Sequence, residues 1–354
     1  MLNRVSRRSL LSFCAFASPA LLAPSVDAAV AWSTAYDQTS ATTNQLRAIA
    51  VAKEAANDSI YAGFIQTTGG FRDVHRFSTN SPYTLLNSRD GAGGSNDQPK
   101  AIATDDAGNV FVGNRISGGT TAKITSHNAT LGAGADTGVD PDQFGGLATV
   151  TIGGQYFLYA SREANKEIRR YTYNPATPGT ISLDGTFGTG GIFTMATPVS
   201  GILRGLEVAP DGTIYVASRD DGKIYRISAD LTTEISAAVP RAMDVDLYNG
   251  EAYVTSYNGT SSLIRVLNAQ TLVPREDLTI TMLDANPYSR GALEGFGGID
   301  IDATGRIWLG DESYQASGTV KDRLLVSSAA VPEPASATLL LGGTVCLLLR
   351  RRKD

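Results

Sequence analysis

One short pattern recurs along the chain and constrains its fold more than any other feature. Residues 203–228 (LRGLEVAPDGTIYVASRDDGKIYRIS) hold it most cleanly. Three apolar runs, residues 206–209, 213–218 and 223–228, are separated by Pro210-Asp211-Gly212 and by residues 219–222. Proline presets φ, aspartate hydrogen-bonds its own backbone, and glycine takes positive φ without steric cost, so both interruptions are turns. Short runs rich in β-branched and aromatic residues between such turns read as an antiparallel meander.

The same order occurs six times between residues 47 and 327. With Ile49, Ile102, Leu147, Leu206, Met243 and Ile299 as anchors of the first strand in each copy, the spacings are 53, 45, 59, 37 and 56 residues. An aromatic residue marks each second strand: Tyr61, Phe111, Tyr159, Tyr215, Tyr253 and Trp308. Four-stranded units of about 40–50 residues are the sequence mark of β-propeller blades. The physical reason is burial. One such sheet is apolar on both faces, and stacking the copies in a ring covers both. The pattern predicts an all-β, six-bladed β-propeller. Outer strands are expected at residues 83–87, 180–183, 232–236 and 278–282. The sixth copy has almost nothing after Ser327, so residues 32–36 are expected to supply its outer strand and close the ring. Residues 128–144 and 174–202, rich in Gly, Pro and Thr, read as long surface loops.

Composition matters where it excludes partners and chemistry. Residues 28–331 hold 23 Lys and Arg (30 less the 7 in the tails) and 32 Asp and Glu (35 less 3), a net charge of −9. An acidic body argues against nucleic acid as a partner. Both cysteines, Cys14 and Cys346, lie in the tails, so the body has no disulfide, thiolate metal site or thiol nucleophile. There is no G-x-S-x-G elbow. His75 reads as a surface residue of a third strand and His127 as part of a turn. Asp136, Asp140 and Asp142 share one stretch that reads as a loop. They offer a candidate Ca²⁺ site, but without the alternation and closing glutamate of an EF-hand, and a solvated acidic loop is the plainer reading.

The two ends are distinct from the repeats. Residues 1–29 combine a basic start, a modest apolar run and the small residues Ala28-Ala29-Val30-Ala31, the composition of a signal peptide. Within it, Ser6-Arg7-Arg8-Ser9-Leu10-Leu11 resembles the twin-arginine export signal, and the other reading is an ordinary secretory signal. At the other end, Val331-Pro332-Glu333-Pro334 is followed by an apolar run, residues 335–349, and then by Arg350, Arg351, Arg352 and Lys353. These three parts in this order resemble the PEP-CTERM sorting signal of bacterial envelope proteins. The resemblance implies export, transient anchoring in the inner membrane through a transmembrane helix, and recognition by an exosortase-type enzyme. Fifteen helical residues span roughly 22 Å, short of the ~30 Å hydrocarbon core. Local thinning and snorkelling arginines close that gap. The cationic cluster stays cytoplasmic, which leaves the body outside. The expected organisation is a signal peptide at 1–29, a propeller at 30–330 and a sorting tail at 331–354.

The copies themselves resemble NHL-type and gluconolactonase/regucalcin-type propeller repeats. Residues 205–218 (GLEVAPDGTIYVAS) carry the Gly-apolar strand, the Asp-Gly turn and the apolar-aromatic strand, and residues 184–194 (DGTFGTGGIFT) the Gly-rich connector. In the lactonase branch the resemblance implies metal-binding Glu, Asn or Asp just before the Gly-apolar pair. Those positions here are Arg47, Lys100, Gly145, Arg204, Arg241 and Gly297, and none is an oxygen ligand for a divalent cation. They suggest an anion site instead. Rotational symmetry brings Arg47, Lys100, Arg204 and Arg241 to one end of the channel, where they would hold a carboxylated or sulfated sugar or a phosphate. The alternative is that each pairs with an acid such as Glu207, Asp244, Asp300 or Asp302.

The expected function is that of an exported protein of the periplasm, cell surface or extracellular matrix. Its propeller is expected to bind or scaffold an anionic exopolysaccharide or a surface protein, without a cofactor. The alternative is a gluconolactonase-like hydrolase or lactonase.

Overall fold

The computed structural model describes residues 28–40, 44–53, 59–66, 73–90, 97–116, 122–132, 134–140, 143–163, 166–196, 202–257, 262–282, 296–311 and 320–331. Every regular element among them is a strand. β1 (Ala28–Ser40) precedes the first blade. Blade 1 comprises β2 (Asn44–Val51), β3 (Ser59–Gln66), β4 (Asp73–Ser78) and β5 (Leu85–Asp90). Blade 2 comprises β6 (Asp97–Thr104), β7 (Asn109–Ile116), β8 (Ala122–Asn128) and β9 (Ala135–Asp140). Blade 3 comprises β10 (Phe144–Ile152), β11 (Gln155–Arg162), β12 (Glu167–Tyr173), β13 (Ile181–Leu183) and β14 (Ile192–Thr194). Blade 4 comprises β15 (Leu203–Val208), β16 (Ile214–Ser218), β17 (Lys223–Ile227) and β18 (Glu234–Ala238). Blade 5 comprises β19 (Val245–Tyr248), β20 (Glu251–Tyr257), β21 (Ser262–Asn268) and β22 (Pro274–Met282). Blade 6 holds β23 (Phe296–Ile301), β24 (Ile307–Asp311) and β25 (Val320–Ser327). Each blade is an antiparallel meander in chain order.

The apolar core is divided among the interfaces between blades. Six buried clusters occur, one at each of the six blade-to-blade contacts. The aromatic residue of each second strand belongs to the cluster shared with the following blade, and Trp308 of blade 6 packs against Leu46, Ile49 and Phe64 of blade 1. Tyr61, Phe111 and Trp308 are fully buried. One residue per repeat therefore fills one interface, which is why the sequence needs an aromatic at that position. Truncating such a residue to alanine costs about 3–5 kcal/mol.

The ring closes through β1, which supplies the outer strand of blade 6 as expected. It pairs antiparallel with β25 from Trp32↔Ser327 to Ser40↔Val320, with a bulge between Thr34 and Tyr36. Its first residues also pair parallel with β22, from Ala28↔Leu278 to Trp32↔Met282. That second pairing joins blades 5 and 6 into one eight-stranded sheet. Trp32 is fully buried between them. At the other end Ser328 N donates to Ala31 O (2.8 Å) and Val331 N to Gly305 O (2.8 Å), and Val331 is buried. Among the described residues the packed chain thus runs from Ala28 to Val331. The leader with Arg7 and Arg8, and the sorting residues Pro332, Glu333, Pro334, Arg350, Arg351 and Arg352, lie outside the described residues. Among the described residues no helix is long and apolar enough to cross a membrane.

Several local expectations need correction. Residues 128–144 are not simply a loop, because β9 there is the outer strand of blade 2. Residues 174–202 carry β13 and β14, which share the outer edge of β12. The turn between them uses Gly188 at φ 54° and Gly191 at φ 92°. His75 is buried, ringed by Tyr36, Phe64 and Phe77, with its Nε2 3.7 Å from Asp73 Oδ2. Third strands here are covered on both faces, so alternation did not carry it to solvent. His127 is the penultimate residue of β8 and is buried, with Nε2 3.1 Å from Thr125 Oγ1 and Nδ1 3.2 Å from the Gly132 carbonyl. Burial pushes its pKa down.

Candidate functional site

The six innermost strands surround a central channel enclosing a cavity of about 50 Å³. It is small, with room for a few waters or one small ion. An innermost strand is paired on one side only, so polar groups on its channel edge need other partners. The two ends of the channel meet that need differently.

Near its start, each inner strand is bulged against its neighbour. The bulges fall between Leu46 and Ala48, Pro99 and Ala101, Phe144 and Gly146, Leu203 and Leu206, and Phe296 and Ile299. In blade 5, Met243 N donates to Thr255 O (3.1 Å) and Thr255 N to Asp244 O (3.0 Å), so two residues again face one. A bulge takes one residue out of the ladder and re-aims its side chain. The residues so placed are Arg47, Lys100, Gly145, Arg204, Met243 and Gly297, and all six line the cavity.

Arg241 is not one of them. The pairs Val245↔Val254 and Asp246↔Tyr253 put Val245, not Met243, level with Ile49, Ile102, Leu147, Leu206 and Ile299. Arg241 falls in the preceding turn at φ 48° and is exposed, its guanidinium 5.6 Å from the Tyr257 ring centre. The shorter hairpin through Asn249 and Gly250, both at positive φ, displaces the register by two residues.

Lys100 and Arg204 converge on one carboxylate. Lys100 Nζ lies 3.2 Å from Glu163 Oε1 and 3.3 Å from Oε2, and 3.0 Å from Gln143 Oε1. Arg204 Nη1 donates to the same Glu163 Oε1. Glu163 directly follows β11, in the blade that separates the two cations. Gly145 makes this reach possible. A Cβ there would collide with the Leu203 carbonyl oxygen, so only glycine lets β10 and β15 approach this closely. Burial, reinforced by the charges of Arg204 and Arg47 against that of Glu163, lowers the Lys100 pKa to about 8. The acids expected to pair with these cations lie elsewhere. Asp302 accepts from Arg306 Nε (2.9 Å) and Trp308 Nε1 (3.0 Å), Glu207 and Asp300 lie further along the inner strands, and Asp244, one residue past Met243, accepts from Ile299 N (3.0 Å). Sequence reasoning missed Glu163, whose Ser-Arg-Glu-Ala-Asn context signals only a turn.

Further along the inner strands, the residues paired with the marker aromatics are Ala50, Ala103, Ala148, Glu207, Asp246 and Asp300. Half of this ring is alanine and half is acid. The aspartates stitch neighbouring blades through otherwise unpaired edge amides. Asp244 Oδ2 accepts from Ile299 N (3.0 Å), Asp246 Oδ2 from Ile301 N (2.7 Å) and Asp300 Oδ2 from Val51 N (2.7 Å). On the alanine side hydroxyls do the same work, Thr104 Oγ1 donating to Val51 O (2.6 Å) and Thr149 Oγ1 to Thr104 O. Lys53 crosses the opening, its Nζ 3.1 Å from Thr149 O and 3.5 Å from Glu207 Oε1. Burial opposes its charge, but Glu207, Asp300 and Asp246 together outweigh burial and hold its pKa above the usual value. Its side chain keeps 36% of its surface exposed. Burial, with mutual repulsion, raises Asp244 to about 8 and Asp300 to about 7, and Asp246 is raised as well.

No three His, Cys, Asp or Glu side chains are gathered as a metal site among the described residues. Asp136 is exposed on β9, 3.7 Å from Lys123 Nζ, and Asp140 ends the same strand. Asp142 lies outside the described residues.

This architecture defines a six-bladed β-propeller. No protein-family model matches the chain, and no curated protein does. Solved structures do. "Structure of U3-55K" superposes with a TM-score of 0.52 at 12% identity, covering 78% of this chain and 77% of that one. "Crystal structure of RRP9 WD40 repeats" gives 0.52 at 12% identity, covering 80% and 78%. At that identity the likeness is one of fold alone.

Proposed function

We propose that this chain is an exported protein of the cell envelope or extracellular matrix whose propeller is a binding or scaffolding module. The partner is a glycan or a protein carrying negative charge, and it meets the basic end of the channel. The observation that carries the reading is the convergence of Lys100 and Arg204 from strands two blades apart, with Arg47 at the equivalent bulge. Packing does not require buried cations at these positions, since Gly145, Met243 and Gly297 fill the other three. Export rests on the leader with Arg7 and Arg8. Sorting by an exosortase-type enzyme rests on Val331-Pro332-Glu333-Pro334, the apolar run and Arg350-Arg351-Arg352.

The test is an expression and fractionation experiment with the full chain and its P332A/E333A/P334A variant, followed by retention on an immobilised uronate polysaccharide. The expected result is a membrane-associated precursor processed to a shorter form only in the unaltered chain, with salt-sensitive retention. A cytoplasmic, unprocessed chain that passes through the column overturns the reading.

A further inference from the structure

The channel cavity is small and partly open, and Lys100 and Arg204 border it with side-chain donors. Lys100 and Arg204 line it, whereas Glu163 and Gln143 do not. Glu163 therefore stands behind the two cations and holds them by one carboxylate, with Glu163 itself buried. The bulge positions nearest to them in the ring differ in kind. Gly145, between them, has no side chain, and Gly297, beside Arg47, has none either. Side-chain donors thus reach the cavity from the bulged end of the strands, with Gly145 leaving room between them. Further along, Asp246 and Asp300 offer carboxylates whose oxygens already accept backbone amides, and so does Asp244 beside the Met243 bulge.

We propose that this end of the channel is a seat for one small oxyanion, the carboxylate, sulfate or phosphate group of a larger ligand. Lys100 and Arg204 are its direct ligands, and Glu163 is a positioning residue. The inference rests on the reading that the basic end is where ligand is met, and it narrows that reading. The remainder of the ligand lies outside, since a cavity of about 50 Å³ has room for one small ion. Two charge-assisted hydrogen bonds from a guanidinium and an ammonium favour a group with several acceptor oxygens over chloride. Glu163 has two effects on the seat. Its carboxylate fixes both cations at one point, and its charge sustains the proton on Lys100 against burial and against Arg204 and Arg47.

The experiment is a calorimetric titration of the full chain, in mild detergent, with inorganic sulfate at constant ionic strength set by chloride. A uronate oligosaccharide is titrated in parallel. One sulfate should bind per chain, at least about tenfold more weakly after Arg204→Gln or Lys100→Gln, the loss of one charge-assisted bond. In the unaltered chain affinity should fall as pH rises through about 8, where Lys100 gives up its proton. In Glu163→Gln that fall should begin at lower pH, a shift that a purely structural role would not produce. Should Glu163→Gln fail to fold, Arg47→Gln carries the test, with weaker sulfate binding at unchanged thermal stability. If the oligosaccharide binds through these residues but sulfate does not, or if the pH profile of Glu163→Gln is unchanged, the seat is wrong and the wider reading stands. If neither ligand binds, both fall.

Discussion

The two ends of the channel solve one problem with opposite chemistry. Both must satisfy the open edge of a ring of strands that is paired on one side only. Towards the end where the inner strands finish, Asp246 and Asp300 accept edge amides directly, and Lys53 is the cation that crosses their ring, while Asp244, just before β19, accepts another amide beside the Met243 bulge. At the end where the strands begin, bulges turn the edge aside, and Lys100 and Arg204 share Glu163. The first arrangement makes the acids part of the backbone framework, where a proton can replace their charge without removing the acceptor. The second makes charge itself the content of the site. An uncharged replacement should be tolerated at one end and not at the other.

The largest expected difference follows from that contrast. Glu163→Leu leaves two buried cations without their shared carboxylate and should destabilise the chain by about 3–5 kcal/mol. Asp300→Asn keeps an acceptor for Val51 N and removes one of several neighbouring negative charges. Its effect at pH 8 should be neutral or stabilising, by no more than about 1 kcal/mol. Urea unfolding midpoints of the two variants would measure this, and equal losses would erase the distinction.

The pH dependence comes next, and its sign differs between the channel acids and Lys100. Asp244 and Asp300 have folded pKa values of about 8 and about 7, against 3.8 for the free group. The folded chain binds those protons more tightly, so stability is lost as pH rises from 3.8 through 7–8. Lys100 is lowered from 10.5 to about 8, so its end regains stability between pH 8 and 10.5. Thermal scans should show a Tm lower by on the order of 5 °C at pH 8 than at pH 5. The decline should be smaller in Asp244→Asn. A Tm that rises over this interval would mean that the acids are held charged by contacts other than those described.

The smallest effect sharpens the membership of the basic end. Arg241→Ala should change stability by no more than about 1 kcal/mol, the scale of an exposed cation–π contact, and should leave sulfate affinity unchanged. A loss of affinity equal to that of Arg204→Gln would return Arg241 to the channel.

The sequence by itself determined the repeat, its number of copies and the closure through residues 32–36. Each follows from local chemistry: turn residues at fixed offsets, one aromatic per interface, and a last copy lacking its outer strand. It also placed Arg47, Lys100 and Arg204 at equivalent positions, and their bulges bear that out. The fifth register was legible too, since an Asn249-Gly250 hairpin turn fixes Asp246 opposite Tyr253. The anchor expected at Met243 lies two residues short of the observed level at Val245, and Arg241 falls outside the channel with it. What only the tertiary structure decided is which charges meet. Glu163 lies 63 residues from Lys100 and 41 from Arg204. Lys53 meets Glu207 across 154 positions, and Val51 meets Asp300 across 249. Such contacts depend on how neighbouring blades rotate about the channel axis. That rotation is set by packing at six interfaces at once, and no local run of residues encodes it.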